Sequence, residues 1–194
     1  MLLSDIDIEK EIRAKRIVIK PKPDFATQMG ACSVDFRLGK TFRVFEYSSV
    51  PFVDLNKTIP AELTREVRVK NNKPFVVQPG ELVLASTLEW LELPNDIAGR
   101  MEGRSSLGRL GIIVHATASI FAPGWRGNAV LELSNIARMP VALYPGMRVC
   151  SFSFEKLTTP TSRPYYSDLN AVYKNQKGTV ASIIERPGEK TIDS

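Results

Sequence analysis

The chain has 194 residues, of which 43% are hydrophobic and 24% charged, so it is long enough to bury one core and has the composition of an ordinary globular protein. Its net charge of +5 comes without a basic cluster, which argues against nucleic acid as a partner and would suit a small polyanion. No run reaches the ~18 apolar residues of a membrane span, and the acidic start MLLSDIDIEKE is unlike a signal peptide. We therefore expect a cytoplasmic protein with no membrane partner.

Cysteine and histidine are too few for a zinc centre. Cys32 and Cys150 lie far apart in apolar runs, which favours free thiols over a disulfide. With His115 as the single histidine, the chain cannot combine a C-x-x-C pair with a further His or Cys ligand. Zinc-dependent deaminases and hydrolases are thereby excluded.

The chain begins with the one segment that has clear helical spacing. Ser4 is placed to cap a helix that runs to about Ala14, and Ile8 and Ile12 share one face of it. A β-branched strand is predicted at residues 17–19.

Short strands follow. Residues 32–38 alternate with period two, and residues 41–45 resume the pattern after Gly39, which predicts a hairpin. Residues 48–64 are predicted to form a loop.

Further strands are marked by Pro-Gly turns at residues 79–80, 123–124 and 145–146. They are predicted at residues 75–77, 82–85, 90–93, 129–134, 142–144 and 149–154. Many short strands with such turns indicate an all-β sandwich or barrel, and no boundary divides residues 1–194 into more than one domain.

The segment GRSSLGRLG, residues 103–111, could hold an anion. If Ser105 or Ser106 capped a short helical turn, free N–H groups there would point at a ligand, and Arg104 and Arg109 could neutralise phosphate charge. The alternative is a plain surface loop.

Glu132 lies in a predicted strand whose alternation places it on one face with Val130 and Ser134. For a lone strand this would be the solvent face. The functional alternative is a carboxylate on a pocket wall that exchanges protons near neutral pH. His115 is interpreted as a hydrogen-bonded structural histidine.

An ordered set of motifs resembles the dCTP deaminase family, which belongs to the dUTPase-like trimeric superfamily. Each motif is short, but together they span nearly the whole chain and make the resemblance specific. They are SDIDIE (4–9), GACSVDFRLG (30–39), GRSSLGRLG (103–111), HATA (115–118), PGWRG (123–127), LELSN (131–135), PGM (145–147) and RPY…YKNQKG (163–178).

The resemblance implies a distorted, dUTPase-like β jelly roll that forms a homotrimer with active sites between subunits. It implies zinc-independent conversion of dCTP to dUTP and ammonia for thymidylate synthesis, with Mg²⁺ carried on the triphosphate and dTTP as a candidate inhibitor. Three alternatives stay open: a bifunctional enzyme that continues to dUMP, a dUTPase, and a nucleotide-binding relative that has lost catalysis.

The resemblance also assigns roles to residues. Glu132 is implied as the catalytic acid and base, with the Ser105 hydroxyl and the Ala118 carbonyl holding the water. The implied substrate contacts are Arg104, Ser105, Ser106, Leu107, Gly108 and Arg109 for phosphates and base, Val130 and Leu131 for cytosine, and Tyr165 and Gln176 in a C-terminal lid at residues 163–194.

Two positions depart from the family pattern. Ala122 stands where an acidic residue usually contacts the sugar, and Val172 stands where a lysine usually contacts the triphosphate. Lys174 or Lys177 could replace that lysine. Because dUTP hydrolysis in the relatives uses the acid missing at Ala122, we expect deamination without further cleavage.

Overall fold

A computed structural model describes residues 1–47, 50–70, 73–169 and 171–183. These residues form mainly strands, with three short α-helices and one 3₁₀ turn. In chain order the elements are α1 (Asp5–Arg13), β1 (Val18–Lys20), α2 (Phe25–Gln28), β2 (Val34–Phe45), the 3₁₀ turn (Ala61–Leu63), β3 (Thr64–Arg68), β4 (Phe75–Val77), β5 (Leu82–Glu92), β6 (Ile97–Gly103), α3 (Ser105–Gly108), β7 (Ile112–Ile113), β8 (Ile120–Phe121), β9 (Arg126–Asn135), β10 (Val141–Leu143) and β11 (Arg148–Lys156).

The strands form one large and one small antiparallel sheet. In the large sheet the order is β7-β9-β5-β2-β11-β6-β8, with β1 added on β5 and β3 on β2. In the small sheet β10 pairs with β4, so this sheet joins two segments that are far apart in sequence. The predicted all-β, jelly-roll-like architecture is confirmed.

The N-terminal helix begins and ends as its sequence predicts. The Ser4 side chain accepts a hydrogen bond from the Asp7 N–H, and acidic residues in the first turn complement the helix dipole. Ile8 and Ile12 are buried against the sheets. The prediction of a short helix is therefore confirmed.

The predicted hairpin at Gly39 is wrong, because β2 runs without a turn from Val34 to Phe45. Its first half pairs with β11 and its second half with β3 and β5, with a shift of register between Leu38 and Phe42. A Cβ at Gly39 would lie 2.8 Å from the carbonyl oxygen of Ser86. Glycine at this position permits the backbone of β5 to approach closely, and it does not form a turn.

Three other segments differ from the prediction. The predicted loop at residues 48–64 contains the 3₁₀ turn, and β3 begins at Thr64; positions 48 and 49 lie outside the described residues. The strands predicted at residues 82–85 and 90–93 are one strand, β5. Strand β6 was not predicted, because Gly99 faces the core where an apolar side chain would have marked the alternation.

The core lies between the curled faces of the large sheet and is rich in aromatic side chains. Phe36 and Phe152 pack with ring centroids 4.5 Å apart. Cys150 is buried here as a free thiol, and burial raises its pKa, whereas the free Cys32 is half-buried. Within the described part of the chain, no helix is long and apolar enough to cross a membrane.

Candidate active site

A cavity of about 300 Å³ lies between β9, the β8 region and the C-terminal tail. It brings together six residues implicated by the sequence: Ala118, Ala122, Val130, Glu132, Tyr165 and Gln176. The other lining residues are Leu84, Met101, His115, Ile120, Phe121, Trp125, Tyr173, Val180, Ala181 and Ser182. The predicted carboxylate and the predicted tail residues thus share one site.

Glu132 lies on the cavity face of β9. Along this strand, half-buried and buried residues alternate, so Val130 and Glu132 face the cavity while the side chain of Leu131 is in the core. The face is therefore a pocket wall and not open solvent surface. Glu132 Oε2 accepts a hydrogen bond of 2.8 Å from the Ala116 N–H, which ties the carboxylate to the loop that carries Ala118.

His115 lies on the wall of the same cavity. Its Nε2 is 3.7 Å from Glu102 Oε2, longer than a hydrogen bond, and its Nδ1 is buried without a hydrogen-bond partner among the described residues. The interpretation as a hydrogen-bonded structural histidine is therefore wrong. The sequence analysis missed its place in the site, although it lies only three residues before Ala118.

An apolar wall forms part of the same cavity. Phe121 and Trp125 meet edge to face with ring centroids 4.7 Å apart, on either side of the Pro123–Gly124 turn. Neither aromatic residue was predicted, although the turn between them was. Ala122 lies on this wall without a polar side-chain group, where the family pattern has an acid.

The described tail residues close one side of the cavity. The Tyr165 N–H donates to the Pro123 carbonyl at 2.9 Å, and Gln176 exchanges hydrogen bonds with Asn128 of β9 at 2.7 and 3.0 Å. The Tyr173 N–H donates to the Tyr165 hydroxyl at 3.1 Å. Positions 170 and 184–194 of the predicted lid lie outside the described residues.

The segment GRSSLGRLG at residues 103–111, called the GRSS segment below, does not line this cavity. It contains the single helical turn α3 and is not a plain loop, but Arg104 occupies the N-cap position and makes no side-chain capping bond, so Ser105 and Ser106 are not caps. Both serines are exposed, and Leu107 is buried in the core. No residue from Arg104 to Arg109 lines the cavity that contains Glu132.

Two further expectations concern charged ligands. Lys174 is half-buried and Lys177 exposed, and neither is among the cavity residues. In the part of the chain that the structure describes, no three His, Cys, Asp or Glu side chains cluster to hold a metal ion.

A carboxylate held in a cavity that is partly lined by aromatic side chains is typical of an enzyme that binds a small molecule. A family model described as dCTP deaminase-like matches residues 2–157, and the chain belongs to this family. The chain is 50% identical over 178 residues to the dCTP deaminase of Thermomicrobium roseum, covering 91% of this chain and 90% of that protein. It is also 50% identical over 182 residues to the "dCTP deaminase, dUMP-forming" of Dictyoglomus turgidum, covering 94% of each.

The fold is also that of a solved structure with low sequence identity. It is the 2'-deoxycytidine 5'-triphosphate deaminase from Agrobacterium tumefaciens, which matches with a TM-score of 0.63 and 23% identity over 80% of this chain. This chain spans about half of that longer protein, 47% of its length.

Proposed function

We propose that this chain hydrolyses dCTP to dUTP and ammonia without zinc. The observation that carries the proposal is Glu132, which is held on the wall of a cavity whose lining also includes Phe121 and Trp125. The volume of about 300 Å³ is at the lower end of the range for small-molecule sites and suits a nucleoside. The names of the relatives that are 50% identical support the same reaction.

The reaction needs one proton shuttle. Water adds to C4 of cytosine as Glu132 takes a proton from it and delivers one to N3, and a proton passed on to the amino group lets ammonia leave. Without a metal, the water must be oriented by fixed polar groups. The Ala118 carbonyl is one candidate, because Ala118 lines the cavity. The Ser105 hydroxyl is the other, and it has to come from a second copy of the chain.

The proposed assembly is a homotrimer in which the GRSS segment of one copy completes the cavity of the next. Two observations support shared sites: the segment does not line the cavity of its own Glu132, and exposed apolar side chains lie near its C-terminal end. Those side chains are Leu110, Ile113, Ile136 and Met139. Such a patch is typical of an interaction surface. Light scattering at assay concentration tests this: a monomeric mass with full activity would exclude a shared site.

The triphosphate would be bound by Arg104 and Arg109 of the neighbouring copy and by Lys174 of the tail. Mg²⁺ would arrive on the triphosphate and neutralise part of its charge; phosphate oxygens and water can supply most of its coordination without a protein cluster. The tail from residue 163 would act as a lid that excludes water from the reacting base. Because dTTP shares the sugar and the triphosphate, we propose it as an inhibitor at the same site.

A second candidate function is the continuation to dUMP and pyrophosphate. The Dictyoglomus turgidum relative, which is named as dUMP-forming, favours it. Ala122 argues against it, because alanine can neither bind the sugar hydroxyl nor place a hydrolytic water. We therefore propose that dUTP is the final product and that it supplies thymidylate synthesis.

The deciding experiment is incubation with dCTP and Mg²⁺ followed by chromatography of the nucleotides. Accumulation of dUTP supports the deaminase, whereas dUMP with pyrophosphate supports the second function. The Glu132→Gln variant from the same purification controls for contaminating phosphatases and deaminases. Unchanged dCTP would refute both functions.

A further inference from the structure

A partly buried polar cluster lies outside the cavity, where β2, β11 and β6 run side by side. Asp35 of β2 faces Ser151 of β11 in register, and Ser151 in turn faces Glu102 of β6. Arg104 follows the last residue of β6 and begins α3. The sheet thus places Asp35 beside the first residue of the GRSS segment.

The Asp35 carboxylate has three side-chain donors. Its Oδ1 accepts from the Ser151 hydroxyl at 2.6 Å. Its Oδ2 accepts from Arg104 Nη1 and, at 3.2 Å, from Arg148 Nη1. Only 14% of the Asp35 side chain is exposed. A carboxylate that is buried to this extent and bound from three sides has little freedom to turn.

This contact restricts the Arg104 guanidinium without using all of it. Nη1 is the single nitrogen of the group that donates to a protein acceptor within the described residues, so Nε and Nη2 stay available. The side chain is 28% exposed, so a ligand can reach it. Because the guanidinium is planar and rigid, a bond at one nitrogen also orients the other two. Two arginines share one carboxylate here, which leaves a net positive charge for an anion.

We propose that Asp35 is a positioning residue for nucleotide binding: it holds Arg104 with Nε and Nη2 directed to the triphosphate. The inference rests on the proposed function, in which Arg104 binds that triphosphate. Asp35 itself touches neither substrate nor water. Its contribution is the orientation of a guanidinium that would otherwise sample many rotamers before binding.

A double-mutant cycle tests the inference with Asp35→Asn, Arg104→Ala and the combined variant. Asparagine keeps the shape and an acceptor for Ser151 but removes the charge that holds Arg104. We expect Asp35→Asn to raise the KM for dCTP by about ten- to a hundredfold, as loss of an orienting partner does at other sites, while kcat changes little. In the Arg104→Ala background the same substitution should have no further effect on KM.

The matched control is Glu155→Gln. It breaks the pair between Arg100 and Glu155, which joins the same strands β6 and β11 at 3.1 Å. We expect this control to leave KM unchanged. The melting temperature of every variant is measured alongside. If Asp35→Asn does not fold, Ser151→Ala loosens the same carboxylate through Oδ1, and its effect on KM must likewise depend on Arg104.

The outcomes separate this inference from the proposed function. If the wild-type chain does not deaminate dCTP, the proposed function fails and the inference fails with it. If the wild type is active but Asp35→Asn raises KM equally with and without Arg104, Asp35 acts on the fold in general and only the inference fails. An unchanged KM in Asp35→Asn also overturns it.

Discussion

Gly124 offers the sharpest test of the link between tail and cavity. It follows Pro123 in the turn before β9 and has a φ of 82°, in the left-handed region. A Cβ at this position would lie 2.7 Å from Pro164 Cβ and 3.0 Å from the Tyr165 nitrogen. The substitution Gly124→Ala should therefore push the start of the tail away from the cavity.

The size of the effect follows from these distances. Carbon atoms pack at about 3.5–4.0 Å, so the tail at Pro164 must retreat by roughly 1 Å. The hydrogen bond of 2.9 Å from the Tyr165 N–H to the Pro123 carbonyl would then stretch beyond bonding range. One such bond contributes about 1 kcal/mol, which corresponds to a rise of about fivefold in the KM for dCTP. The left-handed backbone adds ~1–2 kcal/mol of strain to the folded state.

The matched control is Gly80→Ala, which separates strain from tail displacement. Gly80 also lies in a Pro-Gly turn and has a φ of 76°, but no atom lies within 4 Å of the position of its Cβ. Both variants should lose stability in thermal unfolding through this strain, and Gly124→Ala should lose somewhat more because it also breaks the bond to Tyr165. Only Gly124→Ala should raise the KM and speed trypsin cleavage after Lys174 and Lys177.

Two results would refute this reasoning. If both variants raise the KM equally, strain alone explains the effect. If Gly124→Ala leaves the KM and the cleavage pattern unchanged, the tail contacts at the turn do not contribute to nucleotide binding.

Four further predictions follow from the site and the core. Glu132→Gln should lower kcat by at least ~10²-fold with dCTP binding intact by calorimetry, because the proton shuttle is lost; near-normal turnover would exclude the mechanism. Ala122→Asp should lower the KM for dCTP by about ten- to a hundredfold through a new hydrogen bond to the sugar, and an unchanged KM would mean that another group already holds it. Cys150 should resist alkylation in the native protein and react only on unfolding, whereas Cys32 reacts first, as mass spectrometry would show. Because burial raises the pKa of the Cys150 thiol, the folded chain keeps its proton while the unfolded chain releases it, so stability should fall as pH rises above about 8.5.

The features that the sequence predicts correctly depend on neighbours along the chain. The cap at Ser4 and the spacing of Ile8 and Ile12 describe α1, because helix caps and periodicity act within a few residues. The alternation around Glu132 likewise predicts which side chains of β9 share a face. The neighbouring residues do not show whether that face meets solvent or a cavity. A strand that faces solvent and a strand that lines a cavity show the same alternation of side chains. Only the packing of the tail and of the aromatic wall distinguishes the two cases.

The tertiary structure decides the rest, because strand partners and cavities depend on residues far apart in sequence. Gly39 has the spacing of a turn, yet it lies within the single strand β2, at a point where the backbone of β5 comes very close. Phe121 and Trp125 become a wall only when their turn folds beneath residue 165. The GRSS segment does not line the cavity that contains Glu132, although the two are fewer than thirty residues apart along the chain. Closeness in sequence suggested a single site within one chain, but which residues line one cavity depends on how the strands and loops pack in three dimensions.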